Sequence, residues 1–371
     1  MQLKQDGFRK LISCQSGGIS AALLRFLLTV AAVGYSIAIG LRNFLYSKGW
    51  LKAYRANAIV VSIGNITVGG TGKTPLVIWL YNKITQNSKL KTQNYKCAIL
   101  TRGYKATQNS KLKTQNYEDE PAIIAECCPQ AKVIVNPDRV AGAKEAVSKF
   151  SANVLIMDDG FQHRRLARDL DIVTIDATQS FGYGKLLPAG LLREPVTALK
   201  RADAVVITRC DQIKENKLAE LEQKLQQINP NMIIARSIHA PNFVKSLDGH
   251  EISLKELNDK KIFAFCGIGN PDAFLDTIKR LGSELIGSKV YNDHHHYTEN
   301  DIADIHKQAK PLKADLILTT QKDWSSTQYA IRNTQYEIPF AYLKIELKFT
   351  SGEDKLTALI KKALADKIYA W

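Results

Sequence analysis

The stretch "VSIGNITVGGTGKTPLVIWL", residues 61–80, sets three requirements at once. An apolar run delivers the chain, a glycine-rich turn redirects it, and a second apolar run carries it away as a helix. Such a turn gathers its backbone N–H groups around an anion at the N-terminus of the following helix. Gly69, Gly70 and Gly72 supply the backbone freedom this needs, and Gly72-Lys73-Thr74 has the G-K-[ST] ending of a phosphate loop. The full pattern, G-x-x-x-x-G-K-[ST], asks for a further glycine where this chain has Thr67. Threonine is acceptable there if its φ is ordinary. Thr67, Gly69, Gly70, Thr71, Gly72, Lys73 and Thr74 are therefore the candidate nucleotide-binding residues. Lys73 would reach the β- and γ-phosphates and Thr74 would offer its hydroxyl to Mg²⁺. Pro75 suits the first helical turn, where its missing N–H costs nothing.

A phosphate loop belongs in a parallel α/β sheet, and the rest of the chain agrees. Short β-rich runs at 58–64, 96–104, 131–137, 153–160, 170–176 and 202–210 alternate with helix-like stretches such as 75–84 and 138–149. A charged helical segment at 214–230 offers a boundary. A second set of runs follows at 232–239, 260–269, 285–293, 314–323 and 340–348. The expected fold class is α/β, a P-loop NTPase-like parallel-sheet lobe and a second, smaller α/β lobe. The expected segments are 1–50, a membrane-associated helix; 51–230, the P-loop domain; and 231–371, a C-terminal α/β domain with linker strands. The identical segments "TQNSKLKTQNY" at 85–95 and 107–117 read as a polar local duplication in loops.

The membrane expectation comes from residues 26–41, sixteen residues without a charge between Arg25 and Arg42. As a helix they rise about 24 Å, and snorkelling arginines lengthen the usable span. No small-residue cleavage site follows, which argues against a secretory signal. Basic residues lie on both sides, so orientation stays open, as does whether the helix spans the bilayer or lies on it. The formal charge of +15 points to an anionic partner. No Arg/aromatic alternation suggests a single-strand binder, and nucleic acid is not expected. Six cysteines without a C-x-x-C pair fit a reducing compartment.

A second constellation is "LIMDDGFQHRRL", residues 155–166. An apolar strand that ends in Asp158-Asp159 has the Walker B form and brings a carboxylate towards the Mg²⁺ of a phosphate loop. Adjacent acids on a strand point opposite ways, so which of the two binds the ion is open. Three consecutive imidazoles, His294 to His296, do not easily converge on one ion, and a zinc site is not expected there.

Taken in order, "GNITVGGTGKTP" (64–75), "TRGY" (101–104), "DEP" (119–121), "DDGFQHRRLARDLDIV" (158–173), "LLPAGLLREP" (187–195), "GIGNP" (267–271), "DHHHYT" (293–298) and "TTQKD" (319–323) resemble the tetraacyldisaccharide 4′-kinase family. The resemblance runs through most of the chain, and Thr67 in place of glycine is part of it. Two departures are Glu118, where the family has glycine, and the duplicated insert after "TRGY".

The resemblance implies transfer of the γ-phosphoryl of ATP to the 4′-hydroxyl of a tetraacylated glucosamine disaccharide 1-phosphate, giving lipid IV-A. It places this ATP- and Mg²⁺-dependent reaction at the cytoplasmic face of the inner membrane. It also implies two α/β/α lobes joined by a two-stranded linker. The implied catalytic residues are Asp119 as base, His294 beside it, Lys73, Asp158 and Asp159. His163, Arg193 and Glu194 are implied near the substrate, and Thr74, Asp158 and Asp159 at the metal. Two rival readings exist. A P-loop GTPase would read guanine with Thr208-Arg209-Cys210-Asp211, but arginine stands where lysine is expected and no Asp-x-x-Gly switch is correctly spaced. A membrane-tethered nucleotide-binding scaffold would bind ATP and transfer nothing.

Overall fold

A computed structural model describes residues 7–8, 10–86, 95–103, 119–293, 295–332 and 336–368. Both duplicated segments fall largely or wholly outside these residues, as does His294. The chain forms two compact units, a larger one of residues 3–105, 127–238 and 347–371 and a smaller one of residues 106–126 and 239–346.

In the larger unit the strands are β1 (Ile59–Gly64), β2 (Cys97–Thr101), β3 (Lys132–Val135), β4 (Val154–Asp158), β5 (Leu170–Asp176), β6 (Ala204–Thr208) and the first part of β7 (Ile233–Ser246). They lie in the order β7-β6-β5-β1-β4-β2-β3. Every neighbouring pair among them is parallel. Burial on both faces explains why the central strands read as largely apolar runs rather than alternating ones. β1, β2, β4 and β6 are buried at every residue. Helix Lys73–Gln86 covers the sheet with Leu76, Val77, Leu80 and Ile84, the spacing of a single helical face. The charged segment 214–230 is the helix Glu215–Ile228, which buries Leu218, Leu221 and Leu225. These leucines join Val205 and Ile207 of β6 in one apolar cluster. Helix Glu353–Ile368 buries Leu356, Ile360 and Leu364, and Glu353 pairs with Lys83 at 2.7 Å.

The smaller unit holds β8 (Glu251–Ser253), β9 (Lys261–Cys266), β10 (Glu284–Val290), β11 (Leu316–Thr320) and most of β12 (Phe340–Ser351). The order β10-β9-β11-β12 is parallel throughout. β8 pairs antiparallel with the later part of β7. Its core is aromatic, with Phe263, Phe265, Tyr297, Trp324, Phe340 and Tyr342 in one cluster.

The N-terminal apolar run lies within one helix, Ile19–Ser47, of 29 residues, which holds an 18-residue stretch of mean hydropathy 1.9. It is longer than the uncharged stretch because Arg25 and Arg42 continue it instead of ending it. Both are engaged sideways: Arg25 donates to the Ser16 carbonyl at 2.7 Å and Arg42 to Glu194 at 3.3 Å. Ile19, Leu23, Phe26, Leu27, Val30, Val33, Ile37 and Leu41 are exposed along it.

Candidate active site

The phosphate loop begins where β1 ends, at the carboxyl edge of a parallel sheet, the edge at which ligands of such folds bind. Gly69 and Gly72 adopt φ of +117° and +85°. A side chain at either would be strained, which is why the curl needs glycine there. Thr67 is not among the described residues with positive φ. It forms an antiparallel bridge with Leu192. The missing glycine is therefore a position where the backbone requires none.

That bridge is one rung of a short ladder. Val68 N–H donates to the Leu191 carbonyl at 2.8 Å, and Arg193 N–H to the Ile66 carbonyl at 2.7 Å. The arm entering the phosphate loop is thus stitched to "GLLREP", and Arg193 is delivered to the loop by main-chain pairing. Its guanidinium donates to both oxygens of Asp159 at 3.0 Å. Lys73 Nζ lies 3.5 Å from Asp159 Oδ1. Asp159 sits in the left-handed region at φ 51°, the bend after β4 that separates it from Asp158. Burial alone would raise its carboxyl, but Lys73 and Arg193 outweigh burial and hold it below the usual carboxylate range. Asp158 is 2% exposed at the end of β4. Arg139 braces its main chain by donating to the Asp158 carbonyl at 3.1 Å and the Asn136 carbonyl at 2.7 Å.

Residues outside the motif hold the loop from behind. Asn65 donates to Thr71 Oγ1 at 3.0 Å; Thr71 shares a 2.7 Å hydrogen bond with Thr174 of β5, which donates to the Gly64 carbonyl at 3.2 Å. Thr208 of β6 donates to the Thr71 carbonyl at 3.0 Å. Arg209 donates to the Gly70 carbonyl at 3.0 Å and pairs with Asp176. With these carbonyls tied outward, the opposite side of each peptide is left for an anion. Neither Asn65 nor Thr174 stands out in the sequence as a site residue, and Thr208 does so only in the rival guanine-binding reading. The signal of the two threonines is faint: a hydroxyl within a largely apolar buried strand, as in "LDIVTID" and "AVVIT".

The three residues expected near the substrate have separate surroundings. Arg193 joins Lys73 and Asp159, as above. His163 is half-buried, with its Nε2 lacking a hydrogen-bond partner among the described residues. Burial first, then the charges of Arg139 and Arg165, push its pKa down to about 4, so the ring is neutral at neutral pH. Glu194 is 0% exposed. Its carboxylate accepts from Arg201 at 3.0 Å, Asn43 at 2.9 Å and Arg42 at 3.3 Å, which ties it to the N-terminal helix.

Within the smaller unit, three of the quoted blocks meet at one carboxylate. Asp323 of "TTQKD" accepts from Gly267 N–H at 3.0 Å, Tyr297 Oη at 3.1 Å and Thr320 Oγ1 at 2.6 Å. Burial raises the Asp323 pKa, and these donors oppose that rise. Gly267 must be glycine here, since a Cβ would lie 2.8 Å from the Asn292 carbonyl. Asp293 pairs with Lys322 at 2.7 Å, and His295 stacks on Tyr291 with ring centroids 4.4 Å apart. The loop 291–298 is therefore fixed on both sides of His294, which itself lies outside the described residues. Asp119 heads the helix Asp119–Cys127; its side chain is also outside the description.

Asp158 ends β4, the parallel neighbour of β1, and Asp159 follows it; with Thr74 in the first turn of helix Lys73–Gln86, all three offer oxygen donors. Such donors suit a hard divalent ion that takes its remaining ligands from phosphate and water. Among the described residues no three His, Cys, Asp or Glu side chains converge as a metal cage.

Comparison with known proteins gives consistent results. Residues 24–365 match the family model described as tetraacyldisaccharide-1-P 4′-kinase. A tetraacyldisaccharide 4′-kinase of Syntrophus aciditrophicus is 38% identical over 343 residues, covering 87% of this chain and 88% of that protein. One from Halothermothrix orenii is 34% identical over 335 residues, covering 84% and 85%. The crystal structure of LpxK from Aquifex aeolicus in complex with ATP superposes with a TM-score of 0.67 at 29% identity, covering 92% of this chain and 99% of that one.

Proposed function

The chain belongs to the tetraacyldisaccharide-1-P 4′-kinase family, and on that premise we propose how its residues carry out the reaction. It is an ATP-binding lipid A 4′-kinase, a phosphotransferase acting on a sugar hydroxyl. The observation that carries the residue assignment is the convergence of Lys73 and Arg193 on Asp159 beside the phosphate loop.

Phosphoryl transfer asks for alignment and charge neutralisation more than for covalent chemistry. In our reading the loop amides of residues 69–74 hold the β- and γ-phosphates. Lys73 exchanges its contact with Asp159 for phosphate oxygens, and Arg193 stays close enough to neutralise charge that develops on the transferred group. Thr74 with Asp158 and Asp159 would hold Mg²⁺, which when bound supplies further neutralisation of the triphosphate. A sugar 4′-hydroxyl is a poor nucleophile at neutral pH, and we assign its deprotonation to Asp119 with His294 beside it, on the resemblance of "DEP" and "DHHHYT" to the family. His163, being neutral, suits a hydrogen bond to the substrate rather than charge pairing.

The acceptor is a lipid, and the helix Ile19–Ser47 turns its apolar side outward. We propose that this side enters the inner membrane at its cytoplasmic face, where ATP is available and anionic headgroups complement the net charge of +15. No feature favours the GTPase reading: Arg209 is already engaged with Gly70 and Asp176.

The test is transfer of labelled phosphate from ATP to the purified disaccharide lipid, with and without chelator. Lys73→Ala should lower kcat by about 10²–10³, the usual effect of removing a group aimed at transition-state charge. A folded variant with near-normal kcat would rule out the assignment.

A further inference from the structure

The N-terminal helix is bonded to the catalytic region through a register that membrane attachment does not require. One face of it turns inward, with Arg25, Leu28, Ala32, Tyr35, Ile39 and Arg42 recurring every three or four residues and all partly or fully buried. Tyr35 Oη donates to the Arg193 carbonyl at 2.8 Å. Two turns further along, Arg42 and Asn43 reach the carboxylate of Glu194. The helix thus grips two consecutive residues, 193 and 194, with donors about 11 Å apart along its axis.

The consequence lies in what Arg193 does. Its N–H is fixed to Ile66 in the arm of the phosphate loop, and its carbonyl to Tyr35. With both main-chain groups held, the guanidinium has a defined origin from which to meet Asp159 at 3.0 Å. We propose that the helix is a positioning element of the active site: through Tyr35, and through Glu194 next in the chain, it sets the placement of Arg193 towards Asp159 and the phosphate loop. Tyr35 is thus a positioning residue that touches no reacting atom. An anchor with no other task could slide or rotate within a bilayer; this one is keyed to a fully buried carboxylate and to the residue beside it. Small displacements of a charge-stabilising group are costly in rate. The inference rests on the role given to Arg193 above.

The experiment uses the full chain in mixed micelles with ATP and the disaccharide lipid, comparing Tyr35→Phe, Arg193→Ala and the double variant. Tyr35→Phe keeps the ring and removes only the donor, so fold and vesicle binding should be unchanged. We expect kcat to fall about fivefold to tenfold, the scale of one lost hydrogen bond, with KM for ATP within about twofold of the parent. If Tyr35 acts through Arg193, the double variant should be no slower than Arg193→Ala by more than about twofold. Multiplicative losses, or an unaltered kcat in Tyr35→Phe while Arg193→Ala is slow, would overturn the inference alone. An unaltered Arg193→Ala would overturn the assignment of Arg193 and this inference with it.

Discussion

His163 shows how a single residue in this site carries a measurable signature. Its ring is kept neutral first by burial and then by Arg139 and Arg165, with Arg168 adding to the same effect and Asp138 opposing it. The folded pKa, about 4, lies below the ordinary imidazole value of 6.5, so between these values the unfolded chain binds more protons than the native one. Stability from this residue is complete above about pH 6.5 and is lost as pH falls towards 4. Thermal unfolding followed from pH 7.5 to 5 should show a loss that is shallower in a His163→Gln variant. Parallel curves for the two proteins would mean that His163 titrates normally. The same scale shows what the sequence makes legible. Lys73 and Asp159 stand in motifs that announce charge near phosphate, and Arg193 in a block that only the family resemblance places near the substrate. Thr174 and Thr208 lie 103 and 137 positions from their partner Thr71. A hydroxyl in an apolar strand says that a partner exists, but not which one, because the pairing is made only when the sheet assembles.

At the scale of elements, β-rich runs predicted nearly every strand, since parallel strands buried on both faces leave a largely apolar signal. The N-terminal helix was harder to delimit. Charges at Arg25 and Arg42 bound the apolar run, yet the helix continues past both because each guanidinium lies on the half-buried face and is bonded to the protein. The difference has an energetic consequence at Glu194. A carboxylate at 0% exposure is tolerable only while Arg42, Asn43 and Arg201 all contribute. Removing one partner from such a cluster leaves buried charge uncompensated, at about 3–5 kcal/mol. Glu194→Ala strands Arg201, which is stacked 3.6 Å from the Phe161 ring and four-fifths buried from solvent. We expect it to be destabilised by about 3 kcal/mol in chemical denaturation, well beyond the effect of a surface carboxylate. A loss below about 0.5 kcal/mol would show that the helix is held by its apolar contacts alone.

For the whole molecule, attachment to a lipid surface draws on two forces with different salt dependence. The charge of +15 acts through the electrolyte. The Debye length shrinks from about 10 Å at 0.1 M salt to about 3 Å at 1 M, so electrostatic binding to anionic vesicles fades over that range. The outward face of helix Ile19–Ser47 acts by apolar burial, which salt does not weaken. Phe26, Val30 and Ile37 are 64%, 56% and 66% exposed, so each has substantial surface to lose on entering a bilayer. Even partial burial is worth about 1 kcal/mol per side chain, or roughly 3 kcal/mol for the three together, above a hundredfold in partitioning. None of these residues contributes a side-chain hydrogen bond to the Arg193–Glu194 contacts, so replacing them should leave the positioning role intact. The parent protein should therefore sediment with both anionic and zwitterionic vesicles at low and high salt. A Phe26→Ser/Val30→Ser/Ile37→Ser variant should bind anionic vesicles at about 0.1 M salt and release from them near 1 M, with ATP binding preserved. Salt-resistant binding by the triple variant would move the anchor elsewhere in the chain. Salt-sensitive binding by the parent would make charge, rather than the apolar face, the force that holds this kinase to its lipid substrate.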